Sequence, residues 1–142
     1  QIIRYQKRIS GPMLDRIDIH LDVPAVKIEK LTIEDKKIKT ERSDEVRKRV
    51  QKARDAQTKR FKNKKITSNA EMSNKDIKEF CQLSHECIDL LRLAVAKMNL
   101  SARSYHRTIK LSRTIADLEK SKNISSSHIA EALQYRPRID GI

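Results

Sequence analysis

The stretch that decides the fold is residues 101–118, "SARSYHRTIKLSRTIADL". Ser101 stands where a helix N-cap belongs, and no Gly or Pro interrupts the residues that follow, so the spacing predicts a helix over 102–120. At 100° per residue, Ala102, Tyr105, Ile109, Ser112 and Ala116 share one side, flanked by Leu111, Ile115 and Leu118. Arg103, Arg107 and Lys110 fall together on the opposite side. A helix with one apolar side needs other helices to cover it.

Those helices are legible on both flanks. Ser43-Asp44-Glu45 reads as a capped, acidic start, with Ser43 as N-cap, for a helix running to about Phe61. Val46, Val50, Ala53, Gln57 and Phe61 give it a narrow stripe. Ser73 caps a short helix, 74–81. Ser84 caps another, 85–98, with Ile88, Leu91, Val95 and Met98 at core spacing and Asn99 as C-cap. Ser125 or Ser126 opens a last helix through about Tyr135, before Pro137. The fold class expected is mainly α.

The N-terminal part reads differently. Residues 2–8 can form a short helix, and Pro12 suits the first turn of another over 12–16. Residues 17–23, "IDIHLDV", alternate Ile17, Ile19, Leu21 and Val23 with Asp18, His20 and Asp22, the period of a strand with one buried face. A lone strand is not stable in water, so this one calls for a sheet beyond the segment. The first residue is Gln, without a signal-peptide pattern, which suggests a segment of a longer chain. The division expected is 1–24 as the edge of an α/β domain, 25–42 as a linker and 43–142 as a helical subdomain.

The 142 residues include 32 Lys and Arg against 19 Asp and Glu, a net charge of +13. Such a surplus favours a polyanion partner, although a merely soluble basic domain has the same balance. The surplus concentrates in residues 42–65, which hold eleven Lys or Arg against three acids. On the helix there, Arg47, Lys48, Lys52, Arg54 and Lys59 are candidates for DNA phosphates; a solvated helix face is the alternative. Few aromatics are present to stack on bases. No run of about 18 apolar residues could span a membrane. Cys81 and Cys87 suit a reducing cytoplasm, and with His85 they lack a fourth nearby ligand, so buried free thiols are expected and no metal site.

Four blocks carry a resemblance. "RYQKRISGPMLDRIDIHLDVP", "SDEVRKRVQKARDAQTKRF", "LSARSYHRTIKLSRTIADLEKS" and "HIAEALQYR" resemble, in this order, the C-terminal third of magnesium-chelatase-like, competence-associated AAA+ ATPases. The resemblance implies that the strand closes the α/β ATPase domain and that the helices form the lid, or sensor 2, subdomain. It implies that Arg16 is an arginine finger acting in trans, with Arg8 in reserve, and that Arg103 is the sensor 2 residue, with Arg107 assisting. The alternatives are Arg16 paired with Asp15 or Asp18, and Arg103 on a solvated basic face. It further implies ATP and Mg2+ in the full-length protein, the rest of the ATPase chain as partner, a hexameric homo-oligomeric ring, and coupling to DNA branch migration in the cytoplasm. The segment contains neither a G-x-x-x-x-G-K-[ST] loop nor an acidic Walker B strand, so alone it is expected to bind no cofactor and to hydrolyse no ATP. The rival expectation is a stand-alone basic helical DNA-binding module without a nucleotide role.

Overall fold

The computed structural model describes residues 13, 16–25 and 41–136. Five α-helices and one 3-10 turn make up its regular structure: α1 (Ser43–Arg60), the turn Asn69–Glu71, α2 (Asn74–Phe80), α3 (His85–Met98), α4 (Ala102–Leu118) and α5 (Ser126–Gln134). The mainly helical class expected from the sequence is observed. The expected helices 2–8 and most of 12–16, together with linker residues 26–40, lie outside the described residues.

Local signals explain where each helix begins. Ser73 accepts from the Asp76 backbone N–H while the Asp76 carboxylate accepts from the Ser73 N–H at 2.9 Å, a reciprocal pair at the start of α2. Ser84 and Ser101 accept from the backbone N–H groups of Cys87 and Ser104, opening α3 and α4. Asn99 ends α3 in the left-handed region (φ 47), which asparagine tolerates. The start of α1 departs from expectation. Ser43 is its first helical residue and Arg42 the N-cap, because the Glu45 carboxylate reaches back to the Arg42 N–H.

The centre of the bundle is α4. It packs against α5, α1, the 3-10 turn and α2, while α3 lies against α5. Phe61, Met72, Ile77, Cys81, Cys87, Leu91, Ile109, Ile124 and Ile129 form one core, with Phe61 and Phe80 edge to face at 5.4 Å. Burying a side chain such as Leu91 or Ile129 completely stabilises the fold by about 1.5–3 kcal/mol. Both cysteines are free and buried within this core, and burial pushes the Cys81 thiol up to about 11.

Two amphipathic readings shift. On α4 the buried residues are Ser104, Thr108, Ile109, Ser112, Arg113, Ile115, Ala116 and Asp117, whereas Ala102 is exposed and Tyr105 half-buried. Small hydroxyls can be buried here because Thr108 and Ser112 donate to the carbonyls of Ser104 and Thr108 four residues back. On α1 only Ala53, Gln57 and Phe61 of the stripe are buried; Val46 and Val50 stand clear of the core.

The strand expected over 17–23 is not formed. Among the described residues nothing pairs with it as a ladder, and a strand exists only through its neighbour. Its apolar positions are open, Leu21 at 68% and Val23 at 88% exposure. The segment is instead laid against the bundle. The His20 N–H donates to the Tyr135 carbonyl at 2.9 Å. Arg136, itself buried, donates to the carbonyls of Ile17 and Ser104 and to the Thr108 hydroxyl.

Candidate functional site

Arg103 sits in the first turn of α4, exposed and with no hydrogen-bond or ion-pair partner among the described residues. The first N–H groups of any helix lack intrahelical acceptors, and the helix dipole makes this end attractive to anions. Arg103 lines an open concavity of about 470 Å³ with Asn74, His106, Arg107 and Lys110. The concavity thus gathers three cationic side chains. One polar atom in this group is an orphan, since His106 Nδ1 is buried and has no hydrogen-bond partner among the described residues.

The three cations are not equivalent. Arg107 donates to the Asp18 carboxylate at 2.6 Å and also to the Arg16 carbonyl. Lys110 donates to the Ala70 carbonyl at 2.9 Å, and burial, then the neighbouring Arg107 charge, lowers its pKa. Arg103 alone of the three has its guanidinium uncommitted.

Arg16 is exposed, and its side chain has no partner among the described residues. The alternative pairing with Asp18 is not formed; that carboxylate accepts from Arg107 instead. Asp15 and Arg8 lie outside the described residues. The backbone of Arg16 is nonetheless held: its N–H donates to the Met13 carbonyl at 3.0 Å and its carbonyl accepts from Arg107. One arginine of α4 therefore ties the backbone of Arg16 to the helix that carries Arg103.

The five basic candidates on α1 divide between two flanks. Lys52 and Lys59 border a cleft with the residues just after α4, and Lys48 stands beside Lys52 facing Lys120, 4.0 Å from Asp44. Arg47 and Arg54, seven residues apart on one line of the helix, are turned roughly a third of the way round from them.

Sequence reasoning missed a buried polar centre between α1 and α4. Asp117 accepts from Arg60 through both carboxylate oxygens, from Arg113 at 3.1 Å and from Asn69 at 2.9 Å. Arg113 also donates to the carbonyls of Ser121 and Lys122. The Gln57 side chain accepts from the Asn69 N–H. The i, i+4 placing of Arg113 and Asp117 was a visible signal, but on an exposed helix the same spacing is commonplace.

Among the described residues there is no group of three His, Cys, Asp or Glu that could hold a metal, and no helix long and apolar enough to cross a membrane.

Residues 40–136 match the family described as magnesium chelatase, subunit ChlI C-terminal, and residues 1–31 match magnesium chelatase, subunit ChlI. Competence protein ComM of Haemophilus influenzae is 40% identical over 139 residues, 98% of this chain. The protein YifB of Escherichia coli is 38% identical over 138 residues, 96% of this chain. This chain spans 26% of the length of each of these relatives. With a helical bundle that matches over 40–136 and a preceding segment that matches over 1–31, the chain belongs to the magnesium chelatase subunit ChlI C-terminal family.

Proposed function

We propose that this chain is the lid of a magnesium-chelatase-like AAA+ ATPase, with Arg103 reading the phosphates of bound ATP as sensor 2. The observation that carries this is the uncommitted Arg103 guanidinium at the start of α4, beside an orphaned His106 nitrogen and two further cations. These groups fit a phosphate: a planar, always-charged fork beside free helix N–H groups suits phosphate oxygens. ATP supplies the phosphoryl group when bound. In this reading ATP and Mg2+ are held by the full-length protein, and Arg103 and its neighbours contribute contacts to phosphate oxygens.

Arg16 is the group presented to the nucleotide of a neighbouring subunit in a ring, there offsetting charge in the transition state. The Arg107–Asp18 pair and the Arg107 bond to the Arg16 carbonyl brace that segment on the lid. The exposed alternation Ile17, Ile19, Leu21 and Val23 is the face that the α/β ATPase domain covers. Residues 1–24 then belong to that domain, 25–42 link it, and 43–142 form the lid. The ring, hexameric in this reading, works on DNA in the cytoplasm, with Arg47, Lys48, Lys52, Arg54 and Lys59 meeting phosphates.

The test uses the intact ATPase. Arg16→Ala should lower ATP turnover by about a thousandfold or more with the ring retained on a sizing column. Arg103→Ala should lower turnover with ATP affinity reduced. If both variants turn over ATP normally, the lid reading fails. The net charge of +13 favours one other reading, a DNA-binding module without a nucleotide role. In that case Arg103→Ala changes only DNA affinity and its salt dependence.

A further inference from the structure

At the far end of α4, about 25 Å from Arg103 by helix rise, the chain does something costly. Ser121 N–H donates to the Ala116 carbonyl and Lys120 N–H to the Asp117 carbonyl, the paired bonds of a Schellman ending. The residue at the left-handed position of this motif is Lys120, with φ 61. Glycine is the usual occupant, because a Cβ there is strained. The other left-handed residue, Asn99, is of a type that tolerates the conformation; Lys120 is not.

The strain positions a charge. Lys120 borders an open cleft of about 510 Å³ with Lys52, Lys59 and Lys122, above the Arg60–Asp117 pair. None of the four ammonium groups has an ion-pair partner among the described residues. The loop carrying two of them is held from beneath, since buried Arg113 donates to the carbonyls of Ser121 and Lys122 at 2.6 and 2.9 Å. With Arg60 and Arg113 sharing the single carboxylate of Asp117, the floor is also net positive. The carboxylates of Glu41, Glu45 and Glu119 line the adjoining concavity beside Lys48 rather than this cleft, Glu41 is paired with Arg49, and Asp55 on α1 accepts from Gln51.

We infer that this cleft is a docking track for the phosphodiester backbone of nucleic acid, contacted by Lys52, Lys59, Lys120 and Lys122 without reading base sequence. The inference rests on the proposal that nucleic acid is a partner, and it moves the contact from α1 alone to the junction of α1 with the end of α4. Four lysines around one cleft suit phosphates, since each ammonium is a point charge and each phosphate it neutralises releases counterions. Among the described residues no aromatic side chain lines the cleft to hold a nucleobase, which argues against a free nucleotide. No exposed large apolar side chain borders it either, which argues against a bilayer surface.

The experiment measures anisotropy of a labelled duplex of about 20 base pairs titrated with this chain, from about 50 mM to about 200 mM salt. Lys59→Ala with Lys122→Ala should reduce the salt slope by about two, equally for duplexes of different sequence. Lys120→Gly is the discriminating variant. It should weaken binding several-fold and reduce the slope by about one, while its melting temperature stays level or rises because strain is relieved. If these variants bind as the unaltered chain does, whereas Arg47→Ala with Arg54→Ala abolishes binding, the cleft is overturned and the nucleic-acid reading stands. No binding by the unaltered chain at the lowest salt overturns both.

Discussion

Removing the Asp117 carboxylate should be the most damaging single change to the bundle. Its side chain is 2% exposed and that of Arg113 3%, and the Arg60 guanidinium, 16% exposed, closes the group from α1. Asp117→Ala leaves two guanidiniums without their shared carboxylate at the floor of the cleft and strips Asn69 of an acceptor. Breaking a buried pair in this way costs about 3–5 kcal/mol, chiefly as desolvated charge left without compensation. For a bundle of this size that is a fall of roughly 15–25 °C in melting temperature. The assay is thermal and urea unfolding followed by helical circular dichroism. Asp117→Asn keeps the shape and one acceptor oxygen and should cost less than the alanine. Asp44→Ala is the control: it removes an exposed pair with Arg42 and should leave the transition where it is. If Asp117→Ala melts within a few degrees of the unaltered chain, the buried charge cluster does not hold α1 to α4 and the reasoning is refuted.

Two further outcomes follow from the same contacts. Arg136→Ala removes donors to the Ile17 and Ser104 carbonyls, so amide exchange at His20, whose N–H donates to the Tyr135 carbonyl, should accelerate at least tenfold while α3 keeps its protection; unchanged exchange would mean that the segment is held without Arg136. Asp76 is held well below its ordinary pKa of 3.8, first by hydrogen bonds from Ser73 and then by Lys64. Its stabilisation is therefore complete above about pH 4 and lost progressively as the pH falls from there through its lowered folded-state value, so Asp76→Asn should destabilise at pH 7 and flatten the acid limb. An equal loss of stability at every pH down to about pH 2 would contradict the assigned cause.

The positions of the helices were readable because their signals are local. Ser73, Ser84, Ser101 and Asn99 act on N–H and C=O groups within three or four residues, and a cap works much the same whatever surrounds it. The family resemblance was readable for a related reason: its four blocks lie along the sequence in order. Burial was less legible. Ser104 and Thr108 did not belong to the expected apolar side, yet α5 and Arg136 cover them, and Val46 and Val50 look like core until α1 is seen to overhang.

What the chain alone determined, then, was which of the described segments from Ser43 onward are helical and, to within a residue, where each starts, since those choices are settled by short-range hydrogen bonding and periodicity. Only the tertiary structure decided which polar groups are neutralised and which remain available to a ligand. Arg60 lies 57 residues from Asp117, Arg107 lies 89 from Asp18, and Arg136 lies 119 from Ile17. A charge is occupied or free according to what the fold brings within about 3 Å of it, and pairings across such separations depend on packing rather than on any local pattern.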